Sequence, residues 1–155
     1  MLMKTRLLVA FAAFLLLLGT AATASARGLT SSEASVLRAM NAARTSHGLP
    51  ALRVDYRLQR VARGHSTDML SHQYFAHGSF FARLSRSGAA GPVFGENLAW
   101  GPASASWVVS QWLASPEHRA NLLRRGFRRV GVGAVTGTFE GSAGALVVTA
   151  DFAGT

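Results

Sequence analysis

Val130-Gly131-Val132-Gly133-Ala134-Val135-Thr136 is the stretch where the chain changes its period. Val130, Val132, Ala134 and Thr136 alternate with Arg129, Gly131, Gly133 and Val135, the period of two that marks a strand. A turn-rich segment, Thr136 to Gly144, leads into a second strand over Ala145–Phe152, so the two form an antiparallel hairpin. The elements between the leader and this hairpin are helices instead, with a glycine-dotted loop among them. Helices first and strands last specify an α+β fold, with helices laid on a small antiparallel sheet.

Working back toward the N-terminus, Ser115-Pro116 starts a short helix, with Ser115 as cap and proline in the first turn. A helix over about Ala103 to Ala114 precedes it and has Trp107, Val108 and Trp112 among its apolar positions. Residues 78–95 are glycine-dotted around Phe80, Phe81 and Leu84 and are expected as a short helix followed by loop. Asp55 is a good N-cap for a helix whose buried stripe is Leu58, Val61, Ala62, His65 and Met69, which makes His65 a core histidine with one hydrogen bond. Thr30-Ser31-Ser32-Glu33 is a capping box for a first helix with Val36, Leu37, Met40 and Ala43 inward and Gly48 at its stop.

Residues 7–18 read Leu-Leu-Val-Ala-Phe-Ala-Ala-Phe-Leu-Leu-Leu-Leu, with Lys4 and Arg6 ahead and Ala24-Ser25-Ala26 behind. A basic head, a short apolar run and an A-x-A site are the parts of a secretory signal peptide, expected to be cut after Ala26. The run is shorter than the roughly 20 residues a bilayer span needs. Residues 27–155 then form a single domain, with no transmembrane segment after cleavage and a secreted or cell-envelope location.

The chain has 155 residues, 16 Lys+Arg against 7 Asp+Glu, and no cysteine. Without cysteine there is no disulfide framework, thiolate metal site, Cys nucleophile or lipidated N-terminal Cys. Lys4 is the only lysine, so the basic residues of the mature chain are all arginine. Arg124, Arg125, Arg128 and Arg129 crowd the turn before the first strand, and Arg53, Arg57, Arg60 and Arg63 mark the second helix. For an exported protein the anionic partners on offer are envelope polymers and lipid headgroups. A solvated basic face is the plain alternative, and no motif or aromatic interleaving supports nucleic-acid binding.

No local spacing declares a catalytic motif: there is no HExxH, GxSxG, P-loop or CxxC. Three polar residues do stand in unusual company: His77 in Tyr74-Phe75-Ala76-His77, Glu96 in Gly95-Glu96-Asn97-Leu98, and His118 in Ser115-Pro116-Glu117-His118-Arg119. Only a tertiary fold could unite residues so far apart in the chain.

Those segments belong to an ordered series that also includes Asn41-Ala42-Ala43-Arg44, His47-Gly48-Leu49-Pro50-Ala51-Leu52, His65-Ser66, Asp68-Met69, Trp112 through Leu123, and Phe127 with Val130-Gly131-Val132-Gly133. The series resembles the bacterial, SCP-like branch of the CAP superfamily (cysteine-rich secretory proteins, antigen 5 and pathogenesis-related 1 proteins), from about Val36 to Phe152. The resemblance implies an α-β-α sandwich with a central antiparallel sheet flanked by helices. It also implies a cleft lined by two histidines and acidic residues, in which some members hold zinc or another divalent cation. His77, Glu96 and His118 match the cleft residues and are the expected ligand-binding and metal-binding trio. The second acid of animal and plant members corresponds to Ser115, counted here with the ligand-binding residues, and Glu117 stands where the bacterial pattern usually has glycine.

Three functional classes follow. The first is a cleft-bearing module for a small or lipid-like ligand or an envelope component, with or without a divalent ion. The second is a metal-dependent hydrolase of envelope or peptide substrates, and the third is an envelope protein whose cluster is inert. The hydrolase needs three metal ligands and a general base, and three residues cannot fill both roles. The binding class is therefore the expectation, with catalytic residues unassigned.

Overall fold

Capping chemistry sets the helix starts. In the computed structural model, which describes residues 28–154, the Thr30 side chain accepts from the Glu33 N–H and Glu33 reaches back to the Thr30 N–H, opening α1 (Ser31–Ser46). The expected signal peptide, residues 1–26, lies outside the described residues. Asp55 accepts the N–H of Arg57 and Leu58 to start α2 (Tyr56–His72), just after the two-residue strand β1 (Arg53–Val54). Then come α3 (Phe80–Ser87), β2 (Phe94–Gly101), α4 (Ala105–Ala114), α5 (Pro116–Leu122), β3 (Phe127–Phe139) and β4 (Ser142–Gly154). Proline occupies the first turn of α5, while the Ser115 hydroxyl makes no capping bond.

The hairpin is longer than the alternation indicated. Strands run through Thr136–Gly144 to a tight turn at Glu140-Gly141, where both residues have positive φ, +48° and +76°. That is the backbone a two-residue hairpin loop requires. The sheet order is β1-β3-β4-β2, antiparallel between the three long strands and parallel only where β1 meets β3. One strand was not expected at all. β2 continues from what reads as loop, because Glu96 and Asn97 break its apolar pattern although both are buried.

The layers form an α-β-α sandwich. One face of the sheet packs α1, α4 and α5 over Val130, Val132, Val148, Ala150 and Phe152, with Trp112 and Met40 in the same cluster. The other face packs α2 and α3. Gly131 and Gly133 serve that second contact: a Cβ at either would collide with the backbone of Leu58 or Ala62 in α2. Gln59 completes it, its amide bonding both the N–H (2.8 Å) and the C=O (2.5 Å) of Val132 on the edge of β3 that β1 no longer covers. Arg44 is fully buried and donates to the carbonyls of Pro50, Leu122, Arg124 and Phe127, fastening the loop before β3 to α1.

Candidate functional site

β2 is the free edge of the sheet, and the candidate site is built around it. An exposed edge invites pairing with another strand. Here two outward carbonyls are already taken: Trp112 Nε1 donates to Leu98 O at 2.9 Å and Asn121 Nδ2 to Glu96 O at 3.3 Å. Asn121 also donates to Asn97 Oδ1, and Asn97 Nδ2 donates to the His118 carbonyl at 2.9 Å. The paired asparagines thus moor α5 to β2 and fix where His118 stands.

On the α2/α3 side of the strand, Glu96 is the hub. Its Oε1 lies 2.8 Å from His77 Nδ1, and its Oε2 accepts from Arg83 Nη2 at 2.5 Å. Arg83 also donates to the His77 carbonyl at 2.7 Å, so guanidinium and carboxylate together hold the loop that carries the imidazole. The Glu96 side chain is 2% exposed and that of His77 is 55% exposed. In the neutral imidazole a carboxylate on Nδ1 keeps the proton on that nitrogen and leaves Nε2 as an acceptor.

Asp151 was not singled out from the sequence. It sits directly opposite Glu96 in the β2–β4 register, is fully buried, and neither of its carboxyl oxygens meets a donor. Burial pushes its carboxyl well above the usual range; the neighbouring Glu96 charge adds to that, and Arg83 opposes it. Asp151 therefore keeps its proton to a pH at which an ordinary carboxyl has lost it. An acid inside Ala145–Phe152, otherwise an apolar strand apart from Thr149, was the available signal.

His118 is half-buried on α5, and its imidazole is held below the ordinary histidine range by burial first and by the charge of His77 second. The structure thus brings His77, Glu96 and His118 to one region, with Glu96 bonded to His77 and His118 near enough to feel its charge. Ser115 stands at the start of the same helix, and Glu117 is exposed. His65 is buried, with Nε2 3.0 Å from Ala76 O.

A divalent ion does not fit this donor set. Both Glu96 oxygens already have partners, which leaves two imidazoles. Among the described residues no three of His, Cys, Asp or Glu are arranged to hold a metal. A stable zinc site wants three or four protein ligands.

The apolar part of the site is a groove of about 200 Å³ around the β2 edge, with Phe75 on one side and Trp107 and Gln111 of α4 on the other. Leu98, Ala99 and Trp100 of β2 and His118 of α5 also line it. Phe75 is 42% exposed and lies against the groove. Gly101 lets the Trp107 ring lie against the strand, since a Cβ there would strike it.

Residues 37–152 match the model of the cysteine-rich secretory protein family, CAP. An uncharacterized Bacillus subtilis protein, YkwD, is 35% identical over 118 residues, covering 73% of this chain and 46% of the relative. A second from that organism, named as the uncharacterized membrane protein YlbC, is 37% identical over 109 residues, 67% of this chain and 32% of the relative. The chain therefore spans less than half the length of these curated relatives. Among solved structures, an extracellular Bacillus anthracis protein containing an SCP domain superposes with a TM-score of 0.68 at 29% identity, over 83% of this chain and 45% of that one. Among the described residues no helix is long and apolar enough to cross a membrane.

Proposed function

The chain belongs to the cysteine-rich secretory protein family, CAP, and from that premise we propose that it is an exported binding module that takes the apolar part of a small or lipid-like ligand into the groove beside β2. The observation that carries this reading is the groove's composition. Trp100, Trp107 and the exposed Phe75 give it an apolar lining, and Gln111 and His118 give it two polar groups. Ligand sites commonly combine an apolar lining with a few placed polar groups. The His77–Glu96 pair stands on the same strand edge and gives a ligand's polar end a second imidazole, with Nε2 facing outward.

Turnover is the less supported class. A histidine oriented by a buried carboxylate is the geometry of a general base. Among the described residues, however, no hydroxyl bonds the outward nitrogen of His77, and Glu96 has no free oxygen with which to activate water. An exported location accords with the leader expected at residues 1–26 and with the extracellular SCP-domain protein it resembles.

The test is a titration of the purified protein with a medium-chain fatty acid brominated along its chain, followed by tryptophan fluorescence. Saturable quenching that is lost in Trp107→Ala and weakened about tenfold or less in His118→Ala supports the reading. Absence of quenching, together with multiple turnover of an ester, peptide or cell-wall substrate that disappears in His77→Ala and Glu96→Ala, would replace it with the hydrolase.

A further inference from the structure

On the outer side of the α2/α3 layer lies a second concavity, about 430 Å³, that the groove beside β2 does not include. Arg60, Gly64 and Asp68 of α2 line one wall, and Arg83, Arg86 and Ser87 of α3 line the other. The α2 residues are spaced by four, so they form a single ridge spanning roughly 12 Å of helix. Gly64 sits at its centre with nothing within 4 Å of where a Cβ would be, which leaves the middle of the wall open.

The charges are arranged along that ridge. Arg86 is exposed and makes no ion pair among the described residues, while Arg60 has only a long 3.4 Å bond to the Ser87 carbonyl. Arg83 spends one edge on Glu96 and the His77 carbonyl, and its buried Nε has no partner. At the other end the Asp68 carboxylate is half exposed, holds the Tyr74 hydroxyl and lies 3.0 Å from His72. Guanidinium forks match phosphate oxygens, and an ionised carboxylate accepts from hydroxyls. A bare inorganic anion would use the first and be repelled by the second.

We propose that the α2/α3 groove binds a phosphorylated polyol, with the phosphate between Arg60 and Arg86 and a ligand hydroxyl directed at Asp68. The ligand chemistry is that of a glycerol phosphate unit, free or as a lipid headgroup. The inference does not rest on the reading of the β2 groove. Its residues and its ligand class are different, so either can fail alone.

Calorimetric titration of the purified protein with glycerol 3-phosphate, inorganic phosphate and glycerol at constant ionic strength tests it. The expected result is one site for glycerol 3-phosphate, weakened at least tenfold in both Arg60→Gln and Arg86→Gln. Gly64→Leu, which fills the wall without changing charge, should weaken it as much. Arg124→Gln/Arg125→Gln, which removes two charges from a distant turn, should leave affinity within twofold. Asp68→Asn should erase the preference over inorganic phosphate. Vesicles containing phosphatidylglycerol assign the source: binding that Arg60→Gln abolishes identifies a headgroup, and binding of the free compound alone identifies a soluble ligand. Equal losses in the Arg124/Arg125 variant, or unchanged binding in Gly64→Leu, would overturn the site in favour of diffuse charge.

Discussion

Asp151 and Glu96 face each other across the β2–β4 ladder, one fully buried without a donor and the other bonded to His77 and Arg83. Two carboxyls so placed cannot both ionise cheaply. A protonated Asp151 places no second buried charge beside the carboxylate that holds His77 and Arg83.

Replacing Asp151 with asparagine should reproduce that state permanently. Burial raises the native Asp151 pKa above its unfolded value, so between those values the folded state binds more protons than the unfolded one. Wild-type stability should then fall as pH rises from the ordinary carboxylate range, about pH 4, through the raised native value. Asp151→Asn should lack that fall, and its advantage should grow with pH. Urea unfolding at a series of pH values checks it; parallel curves for the two proteins would contradict the raised Asp151 carboxyl.

His118 offers a titration of opposite sign. Its native pKa is depressed by burial and by His77, so the unfolded chain binds protons that the folded chain refuses. The stability it contributes is complete above the ordinary histidine value, about 6.5, and is lost as pH falls through that value toward the lowered one. His77→Gln should move His118 upward, toward its ordinary value, because the neighbouring imidazolium charge is gone. NMR titration of the ring protons measures this directly. No movement would mean that the imidazoles do not interact.

Gly131→Ala places a methyl group against the Leu58 backbone and should lift α2 off the sheet. The cost should be at least about 1–3 kcal/mol, the usual range for overpacking. Gly126→Ala is the control, since a Cβ there meets nothing, and should stay within roughly 0.5 kcal/mol. Equal effects would show that glycine on β3 has no packing role.

These residues also show what sequence alone could convey. The capping box at Thr30–Glu33, the Asp55 cap and the alternation after Gly126 are local signals, and the elements they announce are present. β2 escaped because its polar residues are satisfied by partners far away in the chain: Glu96 by His77 and Arg83, Asn97 by His118 and Asn121. Asp151 escaped because nothing adjacent hints that it will face Glu96. The wall formed by Arg60 and Arg86 depends on how α2 and α3 lie together, which no periodicity encodes. Gly131 and Gly133 read as the filler positions of an alternating strand, yet they are where a helix rests.

The central claim, an apolar ligand seated beside the β2 edge, is tested most directly by NMR of the tryptophan indoles and aromatic rings during titration with dodecanoate. The account predicts saturable shifts of Trp100, Trp107, Phe75 and the His118 ring at one stoichiometric site, with the exposed Tyr56 ring, outside that groove, unmoved. Shifts that never saturate, or that move Tyr56 and Phe81 as much as Trp107, would contradict it.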